Sequence, residues 1–186
     1  MMHHIDLSSV LRRTVCDLYS DLVTRPTGAA VRTGIEQQLA EMGDRSLTVI
    51  DFSHVGLLDF SCADEIVAKL LLRYCGRAAD LPPSDAYFLF RGINESHRDA
   101  IETVLERHGL AIVAEDDDGL TLVGNVEDGE RRAWDAIRRL GRVAAADLSR
   151  ETGLDELETS SALDGLCRRR LVMRFDEGYV AVGGPA

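Results

Sequence analysis

Residues Thr48-Val49-Ile50-Asp51-Phe52 form a short, mostly apolar and β-branched run. After a turn the chain enters a long segment in which Ala63, Ile66, Val67, Leu70, Leu71 and Tyr74 recur at spacings of three and four. A continuous apolar run between polar residues suits a strand buried on both faces, and the three-four spacing suits a helix with one buried stripe. Strand, loop and helix in that order over residues 47–73 constrain the fold more than any other stretch. Ser61 stands where an N-cap is needed: its hydroxyl can accept the backbone N–H of Asp64, while Asp64 and Glu65 complement the positive end of the helix dipole.

The flanking sequence repeats the pattern. Ahead of it, Leu7, Val10, Leu11, Val15, Leu18, Tyr19 and Leu22 give a helical period capped by Asp6 or Ser8, with Thr14-Val15-Cys16 as an alternative edge strand. Thr24-Arg25-Pro26-Thr27-Gly28 is turn chemistry, and Ala29 to Met42 is a second amphipathic helix closed by Gly43. Beyond it, Gly76 to Asp85 reads as a loop and Ala86 to Phe90 as a second buried strand, followed by a helix capped by Asn94 or Ser96 and ended by Gly109. Leu110–Val113 and Leu120–Val123 form two strands around Asp116-Asp117-Asp118-Gly119. Alternating strands and helices predict an α/β sheet with crossover helices. The three aspartates lack the spaced oxygen ligands and distal Glu of a calcium loop, so they predict a hairpin tip.

The pattern changes after Asn125. Trp134, Ile137 and Leu140 mark one helix, Val143–Thr152 a second stopped by Gly153, and Thr159, Leu163 and Leu166 the buried face of a third capped by Asp155. Leu171–Phe175 and Tyr179–Val182 then read as a hairpin around Asp176-Glu177-Gly178. A short linker over 124–128 divides the chain into residues 1–126 and 127–186, each expected to carry its own core.

Two resemblances follow from these residues. Asp51-Phe52-Ser53, an apolar pair, Asp59 and Ser61-Cys62-Ala63-Asp64-Glu65 resemble a STAS-like domain of the anti-sigma factor antagonist kind, over about residues 25–126 with the first residues as a helical extension. The resemblance implies a binding module whose helix start, in several members, carries a Ser or Thr phosphorylated by a partner kinase. Here the position directly after Asp59 is Phe60, so Ser61 stands one place beyond that hydroxyl. Residues 127–186 resemble a winged helix-turn-helix domain in pattern.

Composition bounds the function. The hydrophobic content of 45% in 186 residues supports a sizeable core. No apolar run approaches the ~20 residues needed to span a bilayer and the first residues lack a secretory pattern, so a cytoplasmic protein without membrane contact is expected. Cys16, Cys62, Cys75 and Cys167 show no paired ligand spacing and read as buried thiols; no metal or cofactor is predicted. Residues 127–186 hold 12 acidic residues against 10 arginines, which leaves −9 of the net −11 on residues 1–126. Such a body repels phosphate backbones.

Asp59, Asp64 and Glu65 sit where a helix start favours their charged forms, which suits capping and ion-pair recognition more than acid catalysis. With no phosphate loop or ligand cluster, and His54, His97 and His108 scattered, the chain does not read as an enzyme. The third C-terminal helix turns Glu156, Glu158, Ser160, Ser161 and Asp164 outward, and the hairpin tip is acidic, so DNA contact falls to Arg168, Arg169 and Arg170 touching phosphates. The sequence therefore predicts a regulatory interaction protein in transcriptional or signalling control. Its partner, a kinase or anti-sigma-like factor, meets the surface of Asp59, Ser61, Asp64 and Glu65. The alternative is a winged-helix DNA-binding regulator with a STAS-like sensory half.

Overall fold

The computed structural model describes residues 2–42, 45–75 and 85–185. Strand β1 (Met2–Asp6) opens the chain, followed by helices α1 (Leu7–Thr14) and α2 (Arg25–Ala40) and strand β2 (Arg45–Asp51). Helix α3 spans 60–74 without a break, its middle residues Asp64–Lys69 wound as a wider π-helical turn. Strand β3 (Asp85–Arg91), helix α4 (Glu95–His108) and strands β4 (Ala111–Asp116) and β5 (Gly119–Gly124) complete the sheet. Helices α5 (Asp128–Leu140), α6 (Ala145–Thr152) and α7 (Glu156–Arg168) and the hairpin β6 (Val172–Phe175) and β7 (Gly178–Ala181) follow. The α/β class is as expected. Gly43 and residues 76–84, read from sequence as a helix stop and a loop, lie outside the described residues.

The five strands lie in sequence order, β1 to β4 parallel and β5 antiparallel. Parallel neighbours joined by right-handed crossovers in unbroken order place every connecting helix on the same face. One apolar cluster shows this: Ile50, Phe52, Phe88, Phe90 and Ile112 meet Leu11, Ile35, Ile66, Val104 and their neighbours on α1 to α4. The alternate residues of the same strands, Val49, Tyr87, Leu89, Val113 and Leu122, point to the other face and need a second cover. The C-terminal helices and hairpin supply it, because these side chains share one cluster with Trp134, Ile137, Leu148, Leu163, Leu166 and Val180. The sheet is the middle layer, and residues 127–186 pack onto the face that α1 to α4 leave open, so the second cluster holds residues from both sides of residue 126.

Local differences have local causes. No strand is expected ahead of the helical extension; Met2–Asp6 forms one by pairing with Leu47–Asp51. Asp6 caps α1 as expected, accepting the Ser8 N–H at 3.0 Å, but the helix ends at Thr14 and residues 15–24 run irregularly. Helix α2 starts at Arg25, since Pro26 is tolerated in a first turn, and Gly28 sits inside it. A Cβ on Gly28 would lie 2.9 Å from the Cys62 Cα, so glycine here permits α2 to approach α3. Val143, assigned from sequence to the second C-terminal helix, instead bridges to Tyr179 beside the hairpin.

Candidate protein-contact surface at the start of the third helix

Helix α3 begins one residue after Asp59, and Asp59 is its N-cap. Its Oδ1 accepts the Cys62 N–H at 2.8 Å and the Ser61 hydroxyl at 2.8 Å, and its Oδ2 accepts the Thr24 N–H at 2.9 Å. Ser61, expected to cap, lies inside the first turn and donates to the cap. The Asp64 N–H is bonded instead to the Phe60 and Ser61 carbonyls. Both Asp59-x-x-Cys62 and Ser61-x-x-Asp64 satisfy capping spacing, and sequence alone does not rank them. Burial raises the Asp59 pKa, but the Cys62 and Thr24 N–H groups and the Ser61 hydroxyl outweigh it and hold the carboxyl below its usual range. Burial, reinforced by the Asp59 charge, pushes the Cys62 thiol up to about 12, so it remains a thiol; it donates to the Thr24 carbonyl at 3.0 Å.

Asp64 and Glu65, expected on the same surface, are buried. One Arg25 nitrogen bonds both carboxylates at 2.8 Å, Arg32 reaches Glu65 at 3.2 Å, Lys69 pairs with Glu65, and His108 approaches Asp64 at 2.9 Å. These carboxylates clamp α2 and α4 to α3, and the widened turn that begins at Asp64 carries both. For each, burial raises the pKa and is overcome by the cationic partners, chiefly Arg25 at Asp64 and Lys69 at Glu65. Only Asp59 and Ser61 of the four expected residues are part-exposed.

Two loops frame this helix start. Residues 20–22 run beside 56–59: the Gly56 N–H donates to the Ser20 carbonyl, Leu22 to Leu57, and Asp59 to Leu22, while Asp21 accepts the Leu57 N–H at 2.8 Å. The pair exposes large apolar side chains, with Leu18 at 90%, Leu57 at 60% and Tyr19 at 52% of their full area, and Val15 and Val23 partly so. Sequence reasoning missed this patch by assigning Leu18, Tyr19 and Leu22 to one buried helical stripe; of the three only Leu22 is buried. Segments 15–24 and 53–61 carry Asp17, Asp21 and Asp59 and no Lys or Arg.

The loop 53–59 is held from behind. His97 is fully buried, with Nε2 2.7 Å from the Gly56 carbonyl and Nδ1 accepting the Asn94 N–H at 3.4 Å. Asp51 at the end of β2 accepts the Ser53 N–H at 2.8 Å and faces His4 at 2.8 Å. Gly92, at φ 71°, lies so close that a Cβ would meet Ser53.

The three C-terminal arginines diverge. Arg168 is exposed. Arg169 donates to the Asn125 carbonyl and lies 3.7 Å from Glu130. Arg170, at φ 60°, bonds the Tyr74 carbonyl at 3.2 Å and Asp85 at 2.8 Å and lies over the Tyr87 ring. Arg169 and Arg170 therefore tie the C-terminal segment to the sheet layer and are not arrayed for phosphates. No helix among the described residues is long and apolar enough to cross a membrane. No family model, curated protein or solved structure matches the chain.

Proposed function

We propose that this chain is a regulatory protein-interaction module, a STAS-like sheet layer joined to a winged-helix layer, whose partner docks on the loops beside Asp59 and Ser61. The observation that carries the reading is the apolar patch of Leu18, Tyr19 and Leu57 held in a fixed frame next to a capped helix start. Large apolar side chains left this exposed on neighbouring segments suit a contact surface. The aspartates around them, with no basic residue in either segment, favour a partner whose apolar face is rimmed by Lys or Arg. A kinase or anti-sigma-like factor is the class the STAS resemblance implies. The antiparallel bridge from Val143 to Tyr179 supports the winged-helix reading, since it ties the segment before α6 to the hairpin.

The same geometry supports a switch. A phosphoryl group on Ser61 replaces the hydroxyl that donates to Asp59 with about −1.5 to −2 charges. Repulsion then loosens the Asp59 bonds to both Cys62 and Thr24, and with them the frame of the patch. DNA binding is the weaker reading, because two of the three candidate arginines are engaged inside the protein.

The test is affinity purification from the native host with wild type and the Leu18→Asp/Leu57→Asp double variant, followed by reconstitution with each purified candidate. A partner that binds wild type and is lost with the double variant, at unchanged circular dichroism, supports the proposal. If every reconstituted partner binds both proteins equally, the patch is not the docking surface.

A further inference from the structure

The C-terminal layer has a second concave surface. A cleft of about 610 Å3 opens between α6 and α7, lined by Leu163 and Tyr179 together with small residues such as Ala146 and Ser160. Glu156 and Asp164 stand on its rim, and neither Lys nor Arg lines it. The two carboxylates are eight residues apart on one helix, which separates them by about 12 Å along the axis.

Thr159 lines the same cleft, is 2% exposed, and its hydroxyl has no hydrogen-bond partner among the described residues. Other helical threonines behave differently: Thr14, Thr33, Thr103 and Thr152 each donate to the carbonyl four residues back, at 2.6 to 3.0 Å. Thr159 forgoes that bond. A buried hydroxyl left unpaired costs about 1–3 kcal/mol, so Thr159 is a strained point of the helix that lines the cleft.

We propose that this cleft is a second docking surface, and that it takes a basic amphipathic helix from a partner protein. The small side chains admit a helix closely, Leu163 and Tyr179 receive its apolar stripe, and Glu156 and Asp164 pair with Lys or Arg two turns apart. The matching helix carries cations at i and i+7 or i+8, spaced about 10–12 Å. Nucleic acid fits poorly, since the rim carboxylates face any phosphate that enters. This surface lies in the other half of the chain from Leu18 and Leu57, and its occupancy does not depend on a partner there.

Fluorescence anisotropy with the full chain tests it, using a labelled helical peptide of Leu, Ala and Lys, its Glu-for-Lys counterpart, and a labelled DNA duplex. The Lys peptide is expected to bind, more weakly as salt rises, and the Glu peptide and the duplex are not. Glu156→Lys/Asp164→Lys and the cleft-filling Ala146→Trp are each expected to lower affinity by on the order of tenfold. All three positions are exposed, so folding is not at stake. The Leu18→Asp/Leu57→Asp variant should bind the peptide normally, which separates failure here from failure of the first surface. Absence of Lys-peptide binding, or equal binding by wild type and both cleft variants, overturns the proposal. So does duplex binding that the charge variant alters, or self-association that Ala146→Trp abolishes, which would assign the cleft to a second copy.

Discussion

Replacing Asp59 by Ala removes the acceptor for two backbone N–H groups and one hydroxyl at the point where two loops and a helix meet. A lost N-cap costs about 0.5–2 kcal/mol, and a hydrogen bond to a charged acceptor contributes about 1.5–3 kcal/mol when shielded. Asp59 is part-exposed, so water recovers some of this, and the net cost is expected at about 2–3 kcal/mol. For a chain of this length that lowers Tm by about 4 to 12 °C. Asp59→Asn keeps an oxygen for Cys62 but turns an amide N–H toward the Thr24 N–H, so it should cost about half as much. Ser61→Ala loses one hydroxyl donor and should cost least, under about 1 kcal/mol. Ser61→Asp brings a second carboxylate against Asp59 and should destabilise more than Ser61→Ala, in spite of the helix dipole.

Urea unfolding followed by circular dichroism measures the series. Because the folded state depresses the Asp59 pKa, its contribution is present above the ordinary carboxylate range and is lost as pH falls through the lowered value. The gap between wild type and Asp59→Ala should therefore close on acidification. If Asp59→Ala lies within about 0.5 kcal/mol of wild type at neutral pH, or Ser61→Ala costs more than Asp59→Ala, the capping assignment is wrong.

Trp134, the single tryptophan, sits in the cluster shared by the sheet and α5 to α7, so its fluorescence and far-ultraviolet circular dichroism should report one coincident unfolding transition. A separate, earlier fluorescence transition would mean that residues 127–186 unfold independently. Arg170→Ala should destabilise by about 2 kcal/mol, and a double-mutant cycle with Asp85→Ala should show coupling of about 0.5–1.5 kcal/mol; additivity of the two changes would refute the pairing. Glu65→Gln leaves Arg25, Arg32 and Lys69 without their shared counter-charge and should cost about 2–4 kcal/mol at neutral pH. That cost should fade as acid protonates Glu65 in the wild type, and a cost that stays constant into acid would contradict the lowered pKa.

The helices and strands that carry regular apolar periods were legible in the sequence: β2, α3, β3, α4 and the β4–β5 hairpin all fall where the spacing places them. β1 was not, because a strand such as Met2–Asp6 is made by its partner β2 and carries little pattern of its own. The helix start at the candidate residues was legible in position and misread in detail. Capping spacing selects a window of residues and leaves open which oxygen is nearest, so Ser61 took the place that Asp59 holds. Charge alone does not say whether a carboxylate faces water; Asp64 and Glu65 turn inward because Arg25, Arg32, Lys69 and His108, four of them distant or on other turns, converge there. The same reason hides Arg169 and Arg170, whose partners Glu130, Asp85 and Tyr74 lie up to 96 residues away.

The exposed patch was missed for the opposite cause. A stripe of Leu18, Tyr19 and Leu22 reads as buried whenever a helix is assumed, and the chain leaves the helix at Thr14. With residues 15–24 irregular and 20–22 running beside 56–59, Leu22 is buried at its bridge to Leu58, while Leu18 and Tyr19 face outward. These apolar side chains stay in water at a cost of about 25 cal/mol per Å2, on loops fixed from behind by the buried His97, and this cost is the physical basis of the proposed docking surface.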